Sequence, residues 1–269
     1  MIDLNFGFFW CGGKISYLRY LTFKSLRHFH PNSKISLYVS KKSNKDSHRW
    51  GVEQQDFEKE DKGKNYIDDI KQLDVNVIYM DYFGSPDYCP IFQVDMARWW
   101  MLYHGLCNFY LDMDQIILKP FDTLPLDKEF IFSQFPNADR AKYSPTGVIG
   151  GVKNGVVSKI MMDAVPKAYS SQNYNSSGPF IFERVIESTR LTERLEYFNA
   201  PYDYFYPINC SKDVTQIYSG EFIIPKSSYA LHLYMGHPVS QKFNDGYDGD
   251  MAKNSNDTVS KFLRENGLV

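Results

Sequence analysis

Phe109-Tyr110-Leu111-Asp112-Met113-Asp114 carries an apolar run straight into two carboxylates one residue apart, and the chain turns apolar again at Ile116-Ile117-Leu118. The aromatic and aliphatic side chains over 108–111 predict a buried strand. Acids at the exit of such a strand are costly to bury unless they are paired or hold a cation. The plain alternative is a capped turn. Asp95-Met96-Ala97-Arg98 precedes them, on a segment over 92–104 whose apolar spacing predicts a helix.

The triplet alone is weak evidence. The chain holds 22 Asp, so about two Asp-x-Asp triplets arise from composition, and two are present, at Asp112–Asp114 and Asp248–Asp250. Position separates them. Asp248-Gly249-Asp250 lies in a polar segment where Asp and Gly are ordinary turn residues. Asp112 and Asp114 leave a strand, where a divalent ion on hard oxygen ligands can face a diphosphate. Asp95 and Arg98 are three apart and share a helix face. As a surface ion pair they would contribute at most about 1 kcal/mol. Val94, Ala97, Met101 and Leu102 instead bind this helix to the core, with Trp99-Trp100 beside the pair. A guanidinium so placed suits phosphate, and the acid suits sugar hydroxyls.

Working outward, residues 2–10 predict a strand that stops at Gly12-Gly13, 15–29 a helix and 35–40 a second strand. This β-α-β start predicts an α/β sheet. Ligands of such sheets sit outside the carboxyl ends of strands. Trp10 can therefore stack on a base while Gly12 and Gly13 let the backbone approach; the alternative is a core tryptophan followed by a turn. Further strands are expected over 75–80, 129–134, 146–152, 223–224 and 229–234, and helices over 66–73, 154–169 and 179–189. Ser176-Ser177-Gly178-Pro179 opens the last helix, either as a simple cap or with its N–H groups toward an anion or hydroxyl. His232 lies near the end of the last strand, as a hydrogen-bonded core residue or as a third metal ligand; His28 and His30 read as surface or capping residues. Residues 241–258 read as a polar surface loop or lid, followed by a weak helix over 259–265.

With 269 residues and 43% hydrophobic content, one domain over 1–269 is expected, with a polar loop and tail from about residue 236. The net charge of −2 gives no electrostatic case for nucleic acid. Aromatics at 16% supply core and also flat faces for bases and sugars. Cys11, Cys89, Cys107 and Cys210 form no C-x-x-C pair, which argues against zinc and redox motifs and fits a reduced cytosolic protein. No apolar run approaches the roughly twenty residues of a membrane-spanning helix, and residues 1–10 lack the basic start of a signal peptide. A cytoplasmic protein is expected; the resemblance given next implies a microbial or viral one, at most peripheral at a membrane.

Phe8-Phe9-Trp10-Cys11-Gly12-Gly13, Asp95-Met96-Ala97-Arg98 and Tyr110-Leu111-Asp112-Met113-Asp114, in that order, resemble the DxD-containing glycosyltransferases. That group includes the yeast initiating α-1,6-mannosyltransferases and bacterial capsular and lipopolysaccharide sugar transferases, with the glucosyltransferase domains of large clostridial toxins more distant. Gly178-Pro179 and His232-Leu233 also resemble its patterns, while His104-Gly105-Leu106-Cys107-Asn108 stands where the group has Gly-Gly. The resemblance implies an α/β GT-A fold, a mixed central sheet flanked by helices with a Rossmann-like nucleotide-binding half. It implies retaining hexose transfer from a UDP- or GDP-sugar, helped by Mn²⁺ or Mg²⁺, to a glycan or glycolipid acceptor. Carried over, Trp10, Gly12 and Gly13 would meet the nucleotide, Asp95 and Arg98 the donor sugar, Asp112 the ribose, the sugar or the metal through water, and Asp114 and His232 the metal. The polar 245–250 loop would close over the donor. A non-catalytic glycan or nucleotide binder is the rival, suggested by the altered Gly-Gly turn. A nucleotidyltransferase is a third reading, although Gly12-Gly13 is poor evidence for its phosphate loop.

Overall fold

The structure, a computed structural model, describes residues 4–11, 13–41, 43, 63–135, 144–169, 176–209 and 214–269. Its centre is β1 (Asn5–Cys11), buried from Phe6 onward. Strand side chains alternate between faces, and both faces here are covered. Phe6, Phe8 and Trp10 enter one apolar cluster, whereas Phe9 and Cys11 enter another. A strand buried on both sides accepts consecutive apolar residues, and Phe8-Phe9-Trp10-Cys11 is such a run, after the alternation of Leu4, Phe6 and Phe8 with Asn5 and Gly7.

The chain continues through α1 (Tyr17–Phe29), β2 (Lys34–Ser40), α2 (Ile67–Lys71), β3 (Val75–Met80), α3 (Pro90–Tyr103), β4 (Phe109–Leu111) and β5 (Gln115–Ile117). It then forms β6 (Phe130–Ser133), β7 (Val148–Gly151), α4 (Val156–Ala168), α5 (Pro179–Thr189), β8 (Tyr197–Ala200), α6 (Val214–Ser219) and β9 (Ala230–His232). The last elements are α7 (Pro238–Asn244), α8 (Gly249–Asn254) and α9 (Thr258–Glu265). Seven strands make one sheet in the order β3-β2-β1-β4-β7-β6-β8, and β5 pairs with β9 in a second, small sheet. β3, β2, β1 and β4 run parallel, with Phe6 opposite both Ile35 and Phe109. β7 runs antiparallel to β4. The sheet therefore changes direction beside the strand that delivers Asp112.

Local chemistry sets the boundaries. Ser16 caps α1 by accepting the Arg19 N–H, so this helix starts two residues later than expected. Pro90 opens α3, where its missing N–H is harmless. At the other end of α3, Gly105 has φ +68°. The Leu106 N–H donates to Met101 O at 2.9 Å and the Gly105 N–H to Leu102 O at 3.0 Å. This double bond closes the helix with a single left-handed glycine. The turn that departs from the Gly-Gly pattern is therefore well formed.

Three expectations are corrected. The polar 241–258 stretch is not an irregular loop: α7 and α8 occupy most of it, and Tyr247 and Ala252 are buried in a third apolar cluster. Asp248 Oδ1 accepts the Asp250 and Met251 N–H groups at the start of α8, and Asp257 accepts that of Ser260 at the start of α9. These acids are helix caps, which share their residue types with turns. The expected polar tail from residue 236 is accordingly helical. The strand expected at 223–224 is absent, and Ile223 is 87% exposed.

His30 is the third. It is buried, and its Nε2 accepts the Phe121 N–H at 3.1 Å between the rings of Phe6 and Phe121. Burial pushes its pKa from 6.5 down to about 4, with the Asp122 charge opposing and Arg27 reinforcing the fall. The unfolded chain thus takes up this proton first. The stabilisation is complete above about pH 6.5 and is lost as pH falls toward 4, by about 2–3 kcal/mol in all. Urea unfolding between pH 7 and 4.5 should show this slope, and His30→Gln, which keeps an acceptor, should flatten it.

Candidate active site

β4 ends at Leu111, and the next N–H, that of Asp112, donates to Gly147 O at 2.8 Å. The first acid is thus held against the entrance of β7. Met113 turns into the core, and its carbonyl accepts from Thr22 Oγ1 of α1. Asp114 is fixed from the far end of the chain. Its carbonyl accepts the Leu233 N–H at 2.8 Å, and its Oδ2 accepts the Met235 N–H at 3.0 Å. Its Oδ1 lies 3.0 Å from His232 Nε2. The His232 ring packs on Tyr234 and Tyr206, and the Tyr206 hydroxyl accepts the Val148 N–H.

The second half of the site comes from α3. Arg98 is buried, with Nη2 3.1 Å from Asp95 Oδ1 and Nη1 3.4 Å from Asp112 Oδ1. Nη1 also donates to Thr146 O at 2.5 Å, and the guanidinium lies 5.0 Å over the Tyr110 ring. One planar cation therefore joins the helix acid, the strand acid and the β7 entrance, as a guanidinium fork can. Asp95 takes a further bond from Ser177 Oγ at 2.8 Å. A Cβ at Gly178 would sit 3.0 Å from both Asp95 oxygens, so glycine lets α5 begin against this carboxylate. Ser177 precedes the Gly178 cap and gives its hydroxyl hydrogen to Asp95.

The electrostatics separate the acids. Burial raises Asp95 to about 6 against the pull of Arg98 and Ser177. Burial also raises Asp112, with Arg98 opposing and Asp114 reinforcing the rise. Asp112 keeps 28% of its side chain exposed, so water tempers that rise. Burial pushes Asp114 up too, but the charge and hydrogen bond of His232, the charge of Arg19 and the Met235 N–H outweigh it and bring Asp114 down to about 2.

The structure thus brings Asp95, Arg98, Asp112, Asp114 and His232 into one constellation. Trp10 adjoins it less directly. Its ring is buried, its indole N–H donates to Gly13 O at 3.0 Å, and the Arg19 guanidinium lies 4.5 Å over its face. Gly12 lies outside the described residues. Asp248 and Asp250 belong to the α8 cap, and His237 caps α7. Sequence reasoning missed Arg19, Gln115, Thr146, Gly147 and Tyr206. Arg19 carries a signal, a cation between Leu18 and Tyr20-Leu21; Gln115 has only its place directly behind Asp114, and the other three carry none.

Asp112, Asp114 and His232 each offer one ligand atom, all within 4.8 Å of one another, among the described residues. Octahedral ligands at about 2.1 Å from a divalent ion are about 3 Å apart along an edge, and Asp114 Oδ1 and His232 Nε2 stand 3.0 Å apart. Two carboxylates and an imidazole are a donor set that fits a divalent cation.

No protein-family model matches the chain, and no curated protein matches it in sequence. Solved structures do match it. PaToxG glycosyltransferase aligns with 70% of this chain and 70% of its own, at 19% identity and a TM-score of 0.50. The glycosyltransferase GlyE of Streptococcus pneumoniae TIGR4 aligns with 100% of this chain and 61% of its own, at 14% identity and a TM-score of 0.44. The galactosyltransferase LgtC, solved with donor and acceptor sugar analogues, aligns with 99% of this chain and 96% of its own, at 15% identity and 0.43. At such identities a likeness speaks for architecture alone. On the likeness to PaToxG, the chain has the α/β GT-A fold of glycosyltransferases, a mixed seven-stranded sheet flanked by helices.

Proposed function

We propose that the protein is a metal-dependent, retaining glycosyltransferase. It would move a hexose from a nucleotide sugar, UDP favoured over GDP, to a glycan or glycolipid acceptor in polysaccharide or glycoconjugate biosynthesis. The observation that carries this reading is the junction of the Asp95–Arg98–Asp112 ion pairs with the Asp112–Asp114–His232 group at the exit of β4. The resemblance to initiating mannosyltransferases and capsular sugar transferases belongs to the same proposal.

Asp112, Asp114 and His232 would hold Mn²⁺ or Mg²⁺, which when bound supplies Lewis-acid stabilisation for the charge on a departing diphosphate. Arg98 adds a cation that is already oriented, so its alignment costs nothing at the moment of reaction. Asp95 fixes Arg98 and, with it, would orient the donor sugar. Trp10, Gly12 and Gly13 would line the nucleotide end. In a retaining, front-face transfer the leaving diphosphate itself takes the acceptor proton, so no dedicated base is required. Among the described residues no helix is long and apolar enough to cross a membrane; a cytoplasmic setting, peripheral at most, is part of the proposal.

The test is incubation with UDP- and GDP-sugars and Mn²⁺. Slow, Mn²⁺-dependent hydrolysis of one donor, with a matching rise in thermal midpoint by linkage, is the expected result. A nucleotide-dependent rise without any turnover, with acceptors supplied, would instead establish the non-catalytic binder. Release of pyrophosphate from a nucleoside triphosphate would establish the nucleotidyltransferase.

A further inference from the structure

Gln115 follows Asp114 directly and opens β5. It is fully buried, and among the described residues neither its Nε2 nor its Oε1 has a hydrogen-bond partner. Buried amides are almost always bonded, so an unmet one beside a chemical site points to a group that completes it. Its place in the fold says where it points. Gln115 stands opposite His232 in the antiparallel β5–β9 pair, and directly opposed residues share a face. A Cβ on Gly147 would sit 2.8 Å from Asp112 Oδ2 and 3.2 Å from Gln115 Nε2. The bare Cα of Gly147 thus leaves the space in which the amide and the Asp112 carboxylate approach each other. Asp112 Oδ1 is already taken by Arg98; Oδ2 lies on the Gln115 side.

We propose that Gln115 is a positioning residue of the cation site, its Nε2–H donating to Asp112 Oδ2 and setting that carboxylate when a divalent ion is held by Asp112, Asp114 and His232. The inference rests on the metal reading given above. Groups that hydrogen-bond a ligand carboxylate fix its direction, and their loss weakens metal binding tenfold or more, on the order of ten- to a hundredfold. An apolar side chain of the same size removes a buried polar group that the cation-free protein leaves unbonded. Removal of such a group is neutral or stabilising. The two effects run in opposite directions, and a merely structural amide would not produce that pattern.

The experiment uses the full chain, stripped with chelator and titrated with Mn²⁺ alone. Bound metal is followed by loss of the free Mn²⁺ electron paramagnetic resonance signal, and cation-free stability by urea unfolding. Gln115→Met is the nearly isosteric variant and Gln115→Leu the second. The expected result is a Mn²⁺ Kd weakened on the order of tenfold with a urea midpoint equal to or above that of the parent. A folded variant with an unchanged Kd overturns the inference. So does a lowered urea midpoint in both variants, or failure of both to fold, because either shows the amide working in the cation-free protein. If the parent itself binds no Mn²⁺, or binds it as well after Asp114→Asn, the metal reading fails first and this inference with it.

Discussion

Asp114→Asn should abolish Mn²⁺-induced stabilisation and lower turnover by on the order of a hundredfold or more, while the fold survives. The substitution is nearly isosteric and acts on charge. Asp114 is ionised far below neutrality, its pKa brought down to about 2 by His232, Arg19 and the Met235 N–H against its burial. Asn therefore mimics a protonated state that the native side chain does not reach at neutral pH. Its amide also carries hydrogens. The Met235 N–H needs an acceptor at Oδ2, so the Asn oxygen must face Met235 and its NH₂ must face His232. The imidazole must then accept at Nε2, which excludes its protonated form. Thermal midpoints with and without Mn²⁺, together with kcat on the donor found active, measure both effects. Near-native, metal-dependent activity in this variant would reject the assignment.

Arg98→Met should give the largest loss of stability, about 3–5 kcal/mol. Arg98 is buried and touches Asp95, Asp112 and Thr146 O at once. Its removal leaves two carboxylates near one another with their common cation gone. Methionine fills much of the volume, so the loss reports charge more than packing. The pH dependence separates the two. Both carboxyls would have folded-state pKa values raised above their unfolded ones, so protons favour the folded state. The deficit should shrink as pH falls from 7 toward 5, whereas a packing defect would not respond. Arg98→Lys should recover only part, because a point charge cannot serve three oxygens arranged for a planar fork. Urea titrations at the two pH values decide.

How much of this was legible in the sequence depends on how far apart the interacting residues lie. β1 and the acids after β4 were readable because a doubly buried strand carries consecutive apolar residues, Phe8 to Cys11 in β1, and an end of this kind is abrupt; β3, a half-exposed edge strand, was readable from its β-branched and aromatic residues. The α3 pair was readable because three-residue spacing is local geometry. The short strands β5 and β8 were not, since three or four residues carry no period. The 241–258 region was misread because a capping Asp and a turn Asp are the same residue, and only the helix that follows distinguishes them. His30 looked like a surface residue because its partner, Phe121, lies 91 positions away. Arg19 and Gln115 were passed over: one lies on an ordinary helix and the other behind the two acids, and nothing in the linear order told which carboxylate each would approach.

The backbone clamp on Asp114 has a further consequence, for the order of events during synthesis. The acids emerge from a ribosome more than a hundred residues before Leu233 and Met235, whose N–H groups fix the second of them. Until β9 docks beside β5, the paired carboxylates have neither imidazole nor amide hydrogens to orient them. Closure of so long a loop is entropically slow. The complete group of Asp112, Asp114 and His232 therefore exists only after a contact between residues far apart in the chain has closed.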